Sequence, residues 1–215
     1  MPYFPAIGLP PVGSQQVHRD RGSPMTLDHA DIVKIQSDAV CLHDAAAIQT
    51  ILDHLAVEIS TAVAGSLPII LCIMNGGIIM TGHLLTRLTF PLEIDYLQAT
   101  RYQGKTQGTE VAWLCKPRLS LEGRTVLVVD DILDEGHTLA AVLGYCRKSG
   151  AERVLSTVLV KKRHDRLADG VTADFIGLEV EDCYVFGFGM DYKGYLRNLN
   201  GIYTLAGSTG HSLCP

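Results

Sequence analysis

The sequence predicts an α/β fold: an open, mostly parallel sheet flanked by helices, with a small additional lobe. Short apolar runs that suit buried strands alternate with segments in which apolar residues recur every three or four positions, as they do on one face of a helix. Strands that alternate with helices are usually joined by right-handed crossovers, which leave the strands parallel. A length of 215 residues and a hydrophobic content of 47% suffice for one domain with a large core.

The first half of the chain contains two predicted helices and three predicted strands. One amphipathic helix begins at Asp44, whose carboxylate can accept hydrogen bonds from the free backbone amides of the first turn, and ends at Gly65. The other elements are a buried strand over 67–74, a helix to about residue 88, a strand over 92–99 and a return strand over 111–115.

The second half repeats this alternation. The pattern predicts a strand over 125–129, a helix over 136–148, a strand over 153–160 and short strands within 173–180, 183–189 and 201–207. The polar segment 100–110 contains two glycines, which predicts a mobile loop able to close over a site.

Composition divides the chain into an arm and a single domain. Residues 1–24 hold five prolines and three glycines, and we expect them to form a flexible N-terminal arm. Residues 25–215 are expected to form the domain, with a core over about 43–165. The small lobe, which we call the hood, is assigned to about 25–42 and 166–215.

The net charge and the cysteine content indicate which partners and which cellular compartment to expect. The net charge is −5 and no basic run is present, which argues against a nucleic-acid partner. No apolar stretch approaches the roughly 18 residues of a membrane helix. Six scattered cysteines without a C-x-x-C pair favour free thiols in a reducing compartment, so we expect a cytoplasmic protein.

The strongest functional signal is the stretch "VLVVDDILDEGHTL", residues 126–139. Ligands of open parallel sheets bind at the carboxyl edge of the strands, where Asp130 and Asp131 are expected to lie. Gly136 allows a tight turn into the next helix, whose first amides attract a phosphate, and Thr138 adds a hydroxyl. The amides are therefore expected to hold a phosphate, while the carboxylates face hydroxyl groups and a hydrated cation. A sugar phosphate offers all of these features.

Three other interpretations of this stretch remain open from the residues themselves. "DDILD" also satisfies the D-D-x-x-D metal-binding pattern of isoprenyl synthases, although there the carboxylates lie on helices. "VLVVDD" is similar to the start of a receiver domain, although little chain follows for its further βα units. The acidic loop could also be a solvated helix cap.

The whole stretch resembles the phosphoribosyl-pyrophosphate signature of type I phosphoribosyltransferases, and the similarity is closest to their hypoxanthine-guanine branch over residues 30–205. The signature consists of an apolar strand, two acidic residues, two apolar residues, and then Asp-x-Gly-x-Thr. The resemblance implies the type I phosphoribosyltransferase fold. It also implies transfer of a phosphoribosyl group to hypoxanthine or guanine, with Mg²⁺ as cofactor and purine salvage as the role.

The resemblance assigns a role to each residue of the signature. Asp130 and Asp131 would bind the ribose hydroxyls and contribute to the metal site, and Asp134 would be the general base. The backbone amides of the following loop, with the Thr138 hydroxyl, would bind the 5′-phosphate; its residues are Glu135, Gly136, His137 and Thr138.

Other motifs match the family further along the chain. The motif Asn75, Gly76 and Gly77 matches the loop that binds pyrophosphate. Lys161 would read the purine 6-oxo group, Tyr184 would stack on the base, and the Val185 carbonyl would contact its edge. Asp191 would bind Mg²⁺ close to the purine, and Arg197 would contact pyrophosphate.

Several residues depart from the family pattern. The mobile loop presents Arg101 and Tyr102 where Ser-Tyr is usual; both are assigned to catalysis. Glu135 stands where Thr or Ser is common, and Asn75 and His137 stand where some relatives have Lys. These departures concern loop closure and catalytic efficiency rather than substrate class.

A different class of function is a regulatory protein that senses phosphoribosyl pyrophosphate or a nucleotide on the same fold. The residues before 40 show no basic helix-turn-helix pattern, and the catalytic Asp134 is present, so the enzyme is favoured. The expected partners are small-molecule substrates and further copies of the chain, in a homodimer or homotetramer.

Overall fold

The computed structural model describes residues 27–101 and 111–205, with only the backbone of Thr100 and Arg101. The predicted arm over 1–24 and most of the predicted mobile loop lie outside these residues. So does Tyr102.

A six-stranded sheet forms the centre of the fold and confirms the predicted α/β class. Its order is β4-β3-β2-β5-β6-β7, and all neighbours are parallel except the β3–β4 hairpin. The strands are β2 (Ile69–Met74), β3 (Glu93–Arg101), β4 (Val111–Cys115), β5 (Thr125–Leu133), β6 (Arg153–Arg163) and β7 (Phe175–Glu181).

Three helices pack on the faces of this sheet. They are α2 (Ala45–Val63), which a short 3-10 turn (Ala64–Ser66) follows, α3 (Ile78–Leu85) and α4 (His137–Lys148). The Asp44 carboxylate accepts a hydrogen bond from the Ala47 amide at 2.9 Å, which confirms the predicted helix start. One apolar core lies between the sheet and α2 with α3, and a second lies between the sheet and α4.

A second sheet of three antiparallel strands has the order β1-β9-β8 and lies within the residues assigned to the hood. Its strands are β1 (Ala39–His43), β8 (Val185–Phe186) and β9 (Ile202–Leu205), and a short helix α1 (His29–Ser37) precedes it. The pattern in the sequence did not predict α1 or β1.

Two boundaries differ from the prediction. Strand β5 continues to Leu133, so Asp130 and Asp131 lie within the strand and not after it. Strand β7, whose residues the sequence analysis assigned to the hood, pairs with β6 in the main sheet. β7 is the outermost strand on its side of the sheet, and it has the weak alternation of a half-exposed edge.

Two further findings concern the helices and the cysteines. No helix among the described residues is long and apolar enough to cross a membrane. Cys41, Cys72, Cys115 and Cys146 are free, whereas Cys183 is disulfide-bonded, so the expectation of free thiols is wrong at that position.

Candidate active site

A cleft of about 380 Å³ opens at the carboxyl edge of the main sheet and collects most of the predicted site residues. They come from three separate parts of the sequence: the loop after β2, the end of β5 with the first turn of α4, and the segment between β8 and β9. The predicted residues that line the cleft are Asn75, Gly76, Asp130, Asp131, Asp134, Glu135, Gly136, His137, Thr138, Asp191 and Arg197.

The β5–α4 connection has the geometry of an anion site. Gly136 caps α4 with φ 80°, a left-handed conformation that favours glycine, and the helix begins at His137. The first amides of a helix have no carbonyl partners within the helix and carry a partial positive charge. This turn can therefore bind a phosphate, with the Thr138 hydroxyl beside it.

Two adjacent carboxylates at the end of β5 form the acidic wall of the cleft. Asp130 is 8% and Asp131 7% exposed, and the Asp131 amide donates to Asp130 Oδ1 at 3.0 Å. Burial, reinforced by the neighbouring Asp131 charge, raises the pKa of Asp130 well above its usual range. Burial also raises the pKa of Asp131, although the Arg197 charge opposes this effect. Two buried acids beside each other are stabilised by hydroxyl donors or by a cation.

Arg197 joins this acidic wall to the segment between β8 and β9. Its Nη2 lies 2.6 Å from Asp191 Oδ1, and its Nη1 lies 3.9 Å from Asp131 Oδ2. The same Nη1 donates to the Gly189 carbonyl at 2.6 Å. One guanidinium thus holds two of the three predicted metal ligands within one cleft.

The loop after β2 approaches the acidic wall so closely that it requires glycine. The Met74–Asn75 peptide bond is cis. A Cβ on Gly76 would collide with the Asp131 carboxylate, and one on Gly77 would lie 2.7 Å from the Val129 carbonyl oxygen. The backbone of this loop is therefore close enough to β5 for its amides to bind a ligand held by the aspartates.

Two side chains that were not predicted from the sequence, an ammonium and an imidazole, contact the Asp134 carboxylate. Lys162 Nζ lies 3.0 Å from its Oδ2, and His164 Nε2 lies 2.7 Å from its Oδ1. Burial acts to raise the pKa of Asp134, but the hydrogen bonds from Lys162 and His164 outweigh it and lower the pKa. Asp134 is therefore ionised at neutral pH and able to accept a proton.

The structure places Lys162, and not the predicted Lys161, at Asp134. Side chains of consecutive strand residues point to opposite faces. Lys161 lies 2.9 Å from Glu179 on the neighbouring strand β7, and neither lysine is among the residues that line the cleft. The spacing of the motif could not show which of the two adjacent lysines faces Asp134. The alternation of side chains along β6 shows that it is Lys162.

The two residues predicted to contact the base also lie outside the cleft lining. Tyr184 is 44% exposed, and its hydroxyl donates to the Asp191 carbonyl at 2.9 Å. Val185 is buried and pairs with Thr204 in the hood sheet. The contact with Asp191 places Tyr184 beside the Asp191 end of the cleft. The side chains of Arg101 and Tyr102 lie outside the described residues.

Glu135, the acidic departure at the phosphate turn, faces His137, with their side-chain oxygen and nitrogen 3.7 Å apart. A protonated His137 in this position would offset the Glu135 charge near a phosphate.

A second group of possible metal ligands lies beside the turn. Atoms of Asp134, His164 and Asp182 lie within 4.8 Å of one another. Asp182 already forms a two-point ion pair with Arg166 at 2.7 and 2.9 Å, and Asp134 is paired with Lys162. Arg197 pairs with Asp131 and Asp191 in the same way, so both groups of carboxylates already contact a cationic side chain.

Comparison with known proteins agrees with this geometry. Residues 41–193 match the model of the phosphoribosyl transferase domain. The chain is 31% identical over 153 residues to a hypoxanthine-guanine phosphoribosyltransferase of Bacillus subtilis, covering 71% of this chain and 84% of that protein. It is 32% identical over 153 residues to a hypoxanthine-guanine-xanthine phosphoribosyltransferase of Tritrichomonas foetus, covering 71% and 83%.

A solved structure also has a similar fold. The fold is similar to the crystal structure of a Staphylococcus aureus hypoxanthine phosphoribosyltransferase, with a TM-score of 0.75, 28% identity, and coverage of 80% of this chain and 94% of that one. The chain therefore belongs to the phosphoribosyltransferase family. Within that family, its relatives place it in the hypoxanthine-guanine branch of the type I enzymes.

The fit between Gly76 and Asp131 can be tested with two glycine substitutions. Gly76→Ala should destabilise the protein by about 1–3 kcal/mol, because the new methyl group must displace a buried carboxylate. Gly82→Ala is the matched control: it lies inside α3 with no atom within 4 Å of the added Cβ, and should stabilise by about 0.5–1 kcal/mol. Urea unfolding measures both changes. Equal effects of the two substitutions would contradict the close approach.

Proposed function

We propose that this chain transfers the phosphoribosyl group of phosphoribosyl pyrophosphate to hypoxanthine or guanine, giving IMP or GMP and pyrophosphate. This is the activity expected of a purine-salvage enzyme. The observation that carries the proposal is the β5–α4 connection, which brings a phosphate-binding turn, two buried aspartates and an ionised Asp134 to one cleft. The names of the relatives support the same substrate class.

The substrate would be bound by the backbone and the acidic wall. The amides of the turn from Glu135 to Thr138 would hold the 5′-phosphate. Asp130 and Asp131 would accept hydrogen bonds from the ribose hydroxyls, which would compensate their burial. The backbone at Asn75–Gly77, together with Arg197, would face the leaving pyrophosphate with donors already in position.

Asp134 would act as the general base. As purine N9 forms a bond to C1′ and the C1′–oxygen bond to pyrophosphate breaks, the proton on N7 would pass to the Asp134 carboxylate. Its lowered pKa keeps the carboxylate ionised and ready to accept this proton at neutral pH.

The pair of Asp134 and Lys162 matches the edge of a 6-oxopurine. A guanine-type base presents N7 and O6 side by side on one edge, whereas adenine presents an amino donor at position 6. A carboxylate for N7–H next to an ammonium for O6, 3.0 Å apart, would favour the oxo base. We therefore propose Lys162 in the role that the sequence analysis gave to Lys161.

Asp130, Asp131 and Asp191 line the same cleft and offer the carboxylate oxygens that Mg²⁺, a hard cation, takes as ligands, so they would hold it. When bound, Mg²⁺ would neutralise the charge of the leaving pyrophosphate. The cation would also relieve the repulsion between the two buried aspartates of β5.

The organisation of the whole protein completes the proposal. Residues 25–215 would form one phosphoribosyltransferase domain behind the arm over 1–24, in a cytoplasmic homodimer or homotetramer. Arg101 and Tyr102 would close over the reaction centre when substrate is bound and exclude water.

The proposed function is tested by incubating the full chain with phosphoribosyl pyrophosphate, Mg²⁺ and each of hypoxanthine, guanine, xanthine and adenine. We expect nucleotide formation from hypoxanthine and guanine, and at least tenfold less from adenine. Tight binding of phosphoribosyl pyrophosphate without conversion of any base would instead indicate a sensor.

Asp134→Asn should lower kcat about 10²–10⁴-fold, because the amide cannot accept the N7 proton. The affinity for phosphoribosyl pyrophosphate should remain, since the amides of the turn bind the phosphate. Asp165→Asn, an exposed aspartate in the loop after β6, is the control and should leave kcat unchanged. Steady-state kinetics and calorimetry measure the two quantities, and a normal kcat for Asp134→Asn would remove the base assignment.

Lys162→Ala and Lys161→Ala separate the two candidate lysines. Lys162→Ala should raise the KM for hypoxanthine about 10–100-fold and weaken discrimination against adenine, because the donor to O6 is lost. Lys161→Ala should change neither, since its ammonium binds Glu179. The reverse result would return the purine-binding role to Lys161.

A further inference from the structure

His164 contacts the proposed base through a ring that is almost completely buried. Only 4% of its side chain is exposed, compared with 37% for Asp134. The Nε2–Oδ1 distance of 2.7 Å is that of a strong hydrogen bond. A buried polar ring requires hydrogen-bond partners, and Asp134 is one of the two that His164 has.

The hydrogen bonds of the ring define its tautomer. The backbone N–H of Arg166 donates to His164 Nδ1 at 3.1 Å, so Nδ1 is an acceptor and carries no proton. Nε2 must then carry the proton of the neutral ring, and it donates to Asp134 Oδ1. The histidine can hold the carboxylate without adding a charge beside it.

The loop that carries His164 is itself fixed against the phosphate turn. The Ala168 amide donates to the Glu135 carbonyl at 2.9 Å. Leu167 and Val171 pack so closely on Gly136 that an added Cβ would lie 3.2 and 2.9 Å from them. The Arg166–Asp182 ion pair fastens the same loop near the end of β7. These contacts join the loop that carries His164 to the phosphate turn.

From this geometry we propose that His164 is a positioning residue for the reaction: it binds Oδ1 of Asp134 so that Oδ2, the oxygen next to Lys162, receives the N7 proton. The inference rests on the proposed function and extends it to a division of roles between the two carboxylate oxygens. Oδ1 of Asp134 accepts a hydrogen bond from the neutral His164 ring, and Oδ2 would face the edge of the purine. In the reaction the N7–H bond breaks and an Oδ2–H bond forms, while Lys162 turns to the purine oxygen.

The environment of Asp134 determines what removal of His164 should do. Among the described residues, the charged groups around it are Lys162 from β6, Asp182 within 4.8 Å, Arg166 paired with Asp182, and Glu135 on its own turn. The hydrogen bond from His164 is among the causes that lower the pKa of Asp134. Without that bond the pKa rises, so the acid limb of the kcat/KM profile should move to higher pH.

The kinetic test compares two substitutions. His164→Leu removes the donor and keeps much of the volume, whereas His164→Gln keeps an N–H donor near the Nε2 position. We expect His164→Leu to lower kcat about 10–100-fold, to move the acid limb upward and to leave the KM for phosphoribosyl pyrophosphate unchanged. His164→Gln should restore most of kcat and the acid limb. His54→Leu, an exposed histidine on α2, is the control and should change neither quantity.

A kcat and acid limb unchanged in His164→Leu would overturn the proposal. So would equal defects in the leucine and glutamine variants when both remain folded by circular dichroism, because that result indicates a general packing role.

A spectroscopic test does not depend on turnover. In the ¹⁵N-labelled wild-type protein we expect a neutral His164 ring with its proton on Nε2, and a shift of its ring signals in Asp134→Ala. A proton on Nδ1, or no response to Asp134→Ala, would overturn the contact. If the wild-type protein converts no purine, the proposed function fails, while these spectra still decide whether His164 holds Asp134.

Discussion

The structure of the site depends on the cost of burying two neighbouring carboxylates at the end of β5. Asp130 and Asp131 are both more than nine-tenths buried, where the charged form of an acid is disfavoured. Two neighbouring elements contact these carboxylates. Arg197 supplies a positive charge near Asp131, and the backbone of the loop after β2 comes so close to Asp131 that it requires glycine. A sugar diol and a divalent cation are the chemical groups that would complete the set.

The signature stretch was sufficient to predict which residues the end of β5 and the following turn bring together in one cleft. Asp130, Asp131, Asp134 and the turn to Thr138 are contiguous in sequence, and an apolar strand before a glycine turn leaves few conformations for them. Asn75, Asp191 and Arg197 were placed in the same cleft by motif alone. The class of the fold followed from the alternation of strands and helices.

The residues that were missed are those whose position depends on register or on tertiary contacts. Lys161 and Lys162 are identical in type, and only the alternation of β6 shows which one faces Asp134. His164 follows the strand in a polar loop, where no spacing rule connects it with a residue thirty positions earlier. The strand β1 is short and pairs with the far end of the chain, so local periodicity could not predict it.

The close contact between the backbones at Gly76 and Gly189 bears on how ligands in the two parts of the cleft would affect each other. A Cβ on Gly189 would collide with the carbonyl oxygen of Gly76, so the segment that carries Asp191 and Arg197 rests directly on the loop that follows β2. A ligand that shifted one of these backbones would press on the other. If the proposed pyrophosphate and purine sites lie on these two segments, their occupancies would be thermodynamically linked, and each ligand would change the affinity for the other by the same factor.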